Sequence, residues 1–398
     1  MRLSTANAFD TGIDTLTSRQ VELSEAQARL ASGKRIARAS DDPAGAARAE
    51  HALATILRSD TSQRSVDASR IAISQTETAM GDANTLLQQA RELLVSAGNP
   101  SFTDSERGAV AAQIKTVRDQ LVDIANRSDG AGSYLFGGQG ATQKPFVDAP
   151  GGMQFVATAG QATTDSISAL PLTTDGSAAW MAGRTGNGSF VTTVVPGVTT
   201  AQIDNGQVSN PALLTGANYA IQFSVAGGVT TYAVRMNGAA TAVTAAPYVS
   251  GQAISVDGMT FTISGAPANG DAFQIAPSTP TLSVFATLDK AVFDLGLSAQ
   301  TGYQRAQANA DNLRNVDSVM GTLQATRSMA GAVLNRVDTE TDRLAAQKLT
   351  SQTERSDAED LDMVAALSTF QTQQSGYDAA LKSYAMVQRL SLFQYLGG

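Results

Sequence analysis

Proline limits where a long helix can run, because it lacks a backbone N–H and its ring clashes with the preceding turn. All 11 prolines of this chain lie between Pro43 and Pro280, which leaves the first 42 and the last 118 of its 398 residues free to be helical. Glycine follows the same division, with 22 of 35 between Gly130 and Gly270. Charge does too. Between Gly151 and Pro280 only Asp165, Asp175, Arg184, Asp204, Arg235, Asp257 and Asp271 carry charge. Two helix-favouring ends therefore flank a centre rich in Thr, Ser, Gly and Val.

The ends keep a period of 3.5 residues, the spacing of coiled-coil seams. In the first helix Phe9, Ile13, Leu16, Gln20, Leu23, Gln27 and Leu30 step alternately by four and three, and Gly33 suits a C-cap. A second helix starts with Asp42 as N-cap and Pro43 in its first turn. Along it Val66, Ile73, Met80, Leu87 and Leu94 recur every seven residues, and Ala83, Ala90 and Ala97 follow the last three at an offset that admits a close neighbour. Gly98-Asn99-Pro100 ends it, after roughly 83 Å at 1.5 Å per residue. Thr103 with Glu106 is a capping-box pattern for a third helix bearing Val110, Ile114, Val117, Leu121 and Ile124. Beyond the centre, Leu313, Val316, Met320, Leu323, Ala330, Leu334, Val337 and Leu344 resume the repeat. Polar residues from Ser351 to Asp360 interrupt it. A final helix carries Met363, Leu367, Phe370, Gln374, Tyr377, Leu381 and Tyr384, and the apolar series continues through Leu390 and Phe393.

The centre reads as antiparallel strands. Tyr219, Ile221, Phe223 and Val225 alternate before a turn at Gly227-Gly228. Asp257-Gly258, between Ile254/Val256 and Met259/Phe261/Ile263, is a two-residue hairpin signal, and Asn269-Gly270 precedes a strand with Phe273 and Ile275. Residues 159–211 carry no strand pattern. The expected fold is α+β: an elongated, coiled-coil-like helical bundle formed by both chain ends, with an inserted antiparallel β domain.

No catalytic, metal or cofactor set can be assembled. A formal net charge of -8 argues against phosphate-tracking nucleic-acid binding. The absence of Cys removes disulfides and thiolate chemistry, and the single histidine, His51, lacks the partners that zinc or a triad needs. Asp41 and Asp42 are adjacent and diverge in space, whereas acid/base pairs face each other; a helix cap explains Ser40, Asp42 and Pro43 together. Gly137-Gly138-Gln139-Gly140 lacks the Lys-Ser/Thr of a phosphate loop, and reads as a loop beside a hairpin. Asn187-Gly188-Ser189 matches the glycosylation tripeptide, with little force in a chain that lacks a Sec signal. The polar, amphipathic N-terminus and the lack of any apolar run of about 18 residues imply export without a cleaved signal, or a cytosolic protein, and no transmembrane helix. Glutamines at seam positions (Gln20, Gln27, Gln374) either fix register and partner choice or mark half-exposed faces.

Leu30-Ala31-Ser32-Gly33-Lys34-Arg35-Ile36, followed by Ser40-Asp41-Asp42-Pro43-Ala44-Gly45, resembles the N-terminal signature of the flagellin superfamily at the joint between its two inner domains. The last helix, with Gln371, Gln374, Ala379, Leu381 and Gln388, is similar to the family's final helix. The likeness covers about 1–145 and 282–398, and touches the β insertion only at Gly258–Pro277. Met1-Arg2-Leu3-Ser4-Thr5, Pro43 after the aspartates, Asp129 to Gly138, and Ser391 to Leu396 resemble the superfamily's hook–filament junction branch more than its filament flagellins.

The resemblance implies a division into an N-terminal axial helix (1–42), the first part of a middle helical domain with a hairpin (43–148), an outer β-rich domain (149–281), the second part of the middle domain (282–350) and a C-terminal axial helix (351–398). It implies assembly seams formed by Phe9, Ile13, Leu16, Leu23, Leu30, Leu367, Phe370, Tyr377, Leu381, Tyr384, Leu390 and Phe393, and an inter-domain joint at Gly33, Arg35, Asp41, Asp42 and Pro43. The implied partners are further copies of the chain in the axial tube, hook-associated protein 1 on the hook side, flagellin on the filament side, and an export chaperone with the flagellar type III apparatus. The implied location is extracellular, with terminal helices that stay loose before assembly. Two rivals are a filament flagellin and, from a different class, a secreted adhesin or binding module on a helical stalk.

Overall fold

The computed structural model describes the backbone of residues 5–164 and 169–396 and, within these, side chains from 10 to 386. The chain divides into two compact units, residues 1–64 with 341–398, and residues 65–340. Seven α-helices and twelve strands are described: α1 (Thr5–Ser32), α2 (Pro43–Ala97), α3 (Asp104–Ala125), a hairpin of β1 (Phe146–Ala149) and β2 (Gly152–Phe155), and the short α4 (Gly176–Met181). After the strands listed below come α5 (Val284–Gly296), α6 (Gly302–Glu359) and α7 (Met363–Leu396). No described helix is long and apolar enough to cross a membrane.

In the unit of residues 65–340 the heptads of α2 do what their spacing requires. Met80, Leu87 and Leu94 are fully buried, and Ala83 and Ala90 between them are too. They meet Ile114, Val117 and Leu121 of α3, Phe285 and Leu288 of α5, and Val316 and Leu323 of α6 in one core. Thr103 caps α3 with the expected reciprocal pair: Glu106 N–H donates to Thr103 Oγ1 at 3.3 Å, and Thr103 N–H donates to Glu106 Oε2 at 2.7 Å. An unforeseen box of the same kind starts α6, where Thr301 N–H donates to Gln304 Oε1 at 3.0 Å. Ion pairs on the rim join α2 to α6, Arg91 to Asp317 at 2.7 Å and Arg327 to Glu77 at 2.6 Å.

A second core belongs to the strands. One sheet runs β3 (Phe190–Val194), β12 (Ala272–Pro277), β6 (Tyr219–Ala226), β7 (Val229–Met236), β8 (Ala239–Ala240), with β9 (Ala246–Pro247) also on β7. The other runs β10 (Ala253–Val256), β11 (Met259–Gly265), β4 (Ala201–Ile203), with β5 (Gln207–Val208) also on β11. All described pairings are antiparallel. The Asp257-Gly258 hairpin forms in the expected register, Val256 opposite Met259, with Asp257 at φ 41° as a type I′ turn requires. Ile221, Phe223, Phe261, Ile263, Phe273 and Ile275 fill the space between the sheets.

Three expectations need correction. The composition shift at residue 149 is not where the inserted domain starts. Met153, Ala179 and Trp180 lie in the helical core, where Trp180 stacks on Phe285 at 5.7 Å and meets Phe136 edge-on at 5.4 Å. The second core starts at Phe190, because losing helix is not the same as leaving the core. Second, the polar stretch Ser351–Asp360 does not interrupt the repeat: Ser351 and Ala358 are buried at the seven-residue spacing that follows Leu344, and α6 runs on to Glu359. Third, the boundaries at 42 and 351 fall inside one unit, which takes in the first turns of α2 and the last of α6.

The sheets are also tied to α6 more firmly than their few charges suggest. Gln307 Oε1 accepts from Ile203 N–H at 2.8 Å, and Arg314 Nη1 donates to Asn205 Oδ1 at 2.6 Å while its Nη2 pairs with Asp311 at 2.8 Å. Burial pushes the Asp311 carboxyl up, against the pull of Arg314. Both Gln307 and Arg314 are buried.

Candidate assembly site: the paired chain ends

In the unit made of the two chain ends, α1 and α7 lie side by side and antiparallel. A Cβ built on Gly12 would stand 3.3 Å from the ring of Tyr384, and one on Gly376 would stand 2.5 Å from Nη1 of Arg19. At the other end of the pair Leu361 N–H donates to Gly33 O at 3.0 Å. The half-buried residues are Gly12, Leu16, Leu23, Ala26 and Leu30 on α1, and Ala366, Phe370, Gln373, Gly376, Tyr377, Ala380 and Tyr384 on α7. Apart from Arg19, exposed between Leu16 and Leu23, and Gly376, which lies against Arg19, both sets step by four and three. They are the a and d positions of one seam.

Of the proposed assembly residues, Leu16, Leu23, Leu30, Phe370, Tyr377 and Tyr384 therefore face the partner helix of the same chain. Ile13, Leu367 and Leu381 stay exposed, as do Gln20, Gln27 and Gln374. The sequence pattern had merged two stripes, one at a/d and one at e. The glutamine inside the seam is Gln373, whose Oε1 is buried without a hydrogen-bond partner. Phe9, Leu390 and Phe393 lie outside the described side chains.

Gly33, Arg35, Asp41, Asp42 and Pro43, the residues expected at an inter-domain joint, lie with others between the end of α1 and the start of α2. Gly33 sits at φ +70° and donates to Arg29 O at 2.9 Å, closing α1 as an αL cap. Arg35 spans the gap to the end of α6. Its N–H donates to Glu359 O at 2.8 Å, its Nη2 to Ala358 O at 2.7 Å and its Nη1 to Asp42 Oδ2 at 3.1 Å. Asp42 caps α2 by accepting from Gly45 N–H at 2.9 Å, with Pro43 exposed in the first turn. Asp41 Oδ2 accepts from Arg38 N–H at 3.0 Å and Ala37 N–H at 3.1 Å. The N–H of Arg38 holds Asp41 below the usual carboxylate range, and the N–H of Gly45, with Arg35, does so for Asp42.

Lys34, Glu359 and Asp362 were not anticipated. Lys34 pairs with Glu359, whose carboxyl is held low by Lys34 first and then by Arg355. Asp362 caps α7, accepting from Val364 N–H at 3.0 Å. An Asp just before the first apolar residue was the available signal for that cap. None existed for Lys34 and Glu359, which lie at opposite ends of the chain.

The other candidates take quieter places. His51 is an exposed residue of α2. Among the described residues no group of three His, Cys, Asp or Glu could hold a metal ion. A Cβ at Gly138 would stand 1.9 Å from Thr158 O, so the glycine-rich loop permits a close backbone approach. The amide of Asn187 is engaged, donating to Asn205 O at 3.3 Å and Gly206 O at 3.2 Å. What the paired ends offer is packing surface.

Family models for the bacterial flagellin N-terminal helical region and C-terminal helical region match residues 4–141 and 313–396. The chain belongs to the flagellin superfamily. A third model, for the D2-like domain of flagellar hook-associated protein 1, matches residues 197–277, a longer part of the insertion than the Gly258–Pro277 segment suggested. Flagellar hook-associated protein 3 of Salmonella typhimurium is 31% identical over 160 residues, 38% of this chain and 48% of that protein. The chain thus spans about half the length of that curated relative, and the same share of its Escherichia coli K12 counterpart at 30% identity. Among solved structures, hook-associated protein 3 of Legionella pneumophila superposes with a TM-score of 0.71 at 26% identity, over 76% of this chain and 97% of that one. A Xanthomonas campestris FlgL structure gives 0.68 at 28%, over 77% and 99%. This superfamily member shares with them helical ends around an inserted antiparallel sheet.

Proposed function

We propose that the chain is a structural subunit of the bacterial flagellum that forms the junction between hook and filament, and that filament assembly and motility depend on it. The observation that carries this is the pair of chain ends. Two long helices spend one seam on each other and leave a second stripe with Ile13, Leu367 and Leu381 exposed, which suits assembly and serves no soluble monomer. The likeness to hook-associated protein 3 supports the junction, and the match of the insertion to a hook-associated domain favours it over a filament flagellin. The partners are further copies of the chain, hook-associated protein 1, flagellin and an export chaperone of the type III apparatus. The location is extracellular. The role is packing, without catalysis.

A strain lacking the chain should complete its hooks, carry no filaments and release flagellin into the medium, with recovery on complementation. Normal filaments in that strain would refute the proposal.

A further inference from the structure

The two flanks of the α1/α7 pair are chemically different. With Leu16, Leu23, Leu30, Phe370, Tyr377 and Tyr384 at a, the e positions are Ile13, Gln20 and Gln27 on α1 and Leu367, Gln374 and Leu381 on α7. In an antiparallel pair e faces e and g faces g, one on each flank of the seam. Gly33 is level with Leu361. Counting outward from there sets Gln27 beside Leu367, Gln20 beside Gln374 and Ile13 beside Leu381. All six are exposed and uncharged, so this flank is a ridge of aliphatic and amide side chains.

The g flank is a groove of about 350 Å3. Glu22, Glu25 and Arg29 line it from α1. From α7 it is lined by small residues, Ala365 and Thr369, and by Asp362. That g and c residues of both helices line one cavity places g opposite g and leaves e opposite e on the far side.

Resting on the junction reading, we infer that copies of the chain assemble ridge into groove, the e flank of one pair filling the g flank of the next. The occupant is a second copy because ridge and groove are opposite flanks of one seam, follow one repeat, overlap along it between Glu22 and Gln27 on α1 and between Leu367 and Gln373 on α7, and match in chemistry. Amides can donate to Glu22, Glu25 and Asp362 and accept from Arg29, and small α7 residues leave room for glutamine and leucine. A contact between unlike faces continues from copy to copy, as a closed ring or a tube requires, whereas like-to-like contact stops at a dimer.

The chain has no cysteine, so introduced pairs report unambiguously. Thr369→Cys with Gln374→Cys puts one thiol on each flank. These positions lie about 140° apart around the helix, too far for a bridge within one chain. A second pair, Glu22→Cys with Gln374→Cys, covers a different level of the groove. Oxidising flagella from cells that carry only the variant should give a ladder of covalent multimers for at least one pair, while each single variant stays monomeric. Covalent dimers from Gln374→Cys alone, or monomers from both pairs in cells that bear filaments, would overturn the inference and leave the junction reading standing. Filaments on cells lacking the chain would instead remove the junction reading.

Discussion

Leu361 N–H donates to Gly33 O at 3.0 Å, so the main chains of the two ends meet at a residue held at φ +70°. The glycines around this joint differ in what they tolerate. A Cβ on Gly33 would meet open space, leaving only the left-handed backbone as a cost, about 1–2 kcal/mol. One on Gly45 would stand 2.4 Å from Asp42 Oδ2 and 2.6 Å from Ile36 Cδ1. Gly45→Ala should therefore displace the cap and open the joint more than Gly33→Ala does. Hydrogen exchange at the Arg35 and Leu361 amides ranks the two; the reverse order would refute the argument.

Acid should loosen the same joint. Asp41, Asp42 and Glu359 are all held below their ordinary values by N–H donors or cations. A carboxyl with a lowered folded-state pKa contributes stability above its unfolded value and loses it as pH falls through the folded one. Protection of the Arg35 and Leu361 amides should hold at neutral pH and decay from about pH 4 downward. Asp41→Asn with Asp42→Asn should flatten that decay. Protection that persists unchanged to about pH 2 in the wild type would contradict it.

Most of this was legible from the sequence because it depends on local period. The heptads of Met80, Leu87 and Leu94, the Thr103 box and the Asp257-Gly258 hairpin are decided by neighbours a few residues away. The α1/α7 stripes were harder. Ile13 and Leu16 are three apart and both apolar, so one stripe seemed to contain both; only the partner helix separates a from e. Lys34 with Glu359 and Arg314 with Asn205 depend on which distant segments meet, and no local pattern encodes that.

Trp180 makes the helical core testable. Its Nε1 is buried without a partner, so the ring acts as apolar volume. Trp180→Phe removes an unsatisfied donor along with part of the ring and should cost less than about 2 kcal/mol, whereas Phe285→Ala, which removes the ring stacked on it, should cost about 3–5 kcal/mol. Denaturant melts followed by circular dichroism compare them. Equal losses would show that the indole N–H contributes something the structure does not reveal.

The sheet domain should be removable, but only along the right line. Gly183 and Leu282 exchange backbone hydrogen bonds at 2.9 and 2.8 Å, and Thr185 N–H donates to Thr279 O at 3.0 Å, so the chain leaves and rejoins the helical core at one point. The face of α6 that would be uncovered carries Gln307, Asp311 and Arg314, which water can satisfy, rather than an apolar surface that would need a new partner. Replacing residues 187–277 by a short Gly/Ser linker should therefore leave a soluble chain whose Trp180 emission and cooperative melt persist. Starting the excision at Gly151 would take Met153 and Trp180 out of the helical core, and that chain should fail to fold. In the intact protein, Arg314→Leu should be worse than removing the whole domain, since it strands the largely buried Asp311 carboxyl while the sheets still exclude water, at a cost of about 3–5 kcal/mol. Circular dichroism melts of the three variants decide it. A 187–277 excision that unfolds the helices, or an Arg314→Leu chain as stable as wild type, would show that the polar clasp is not what joins the two cores.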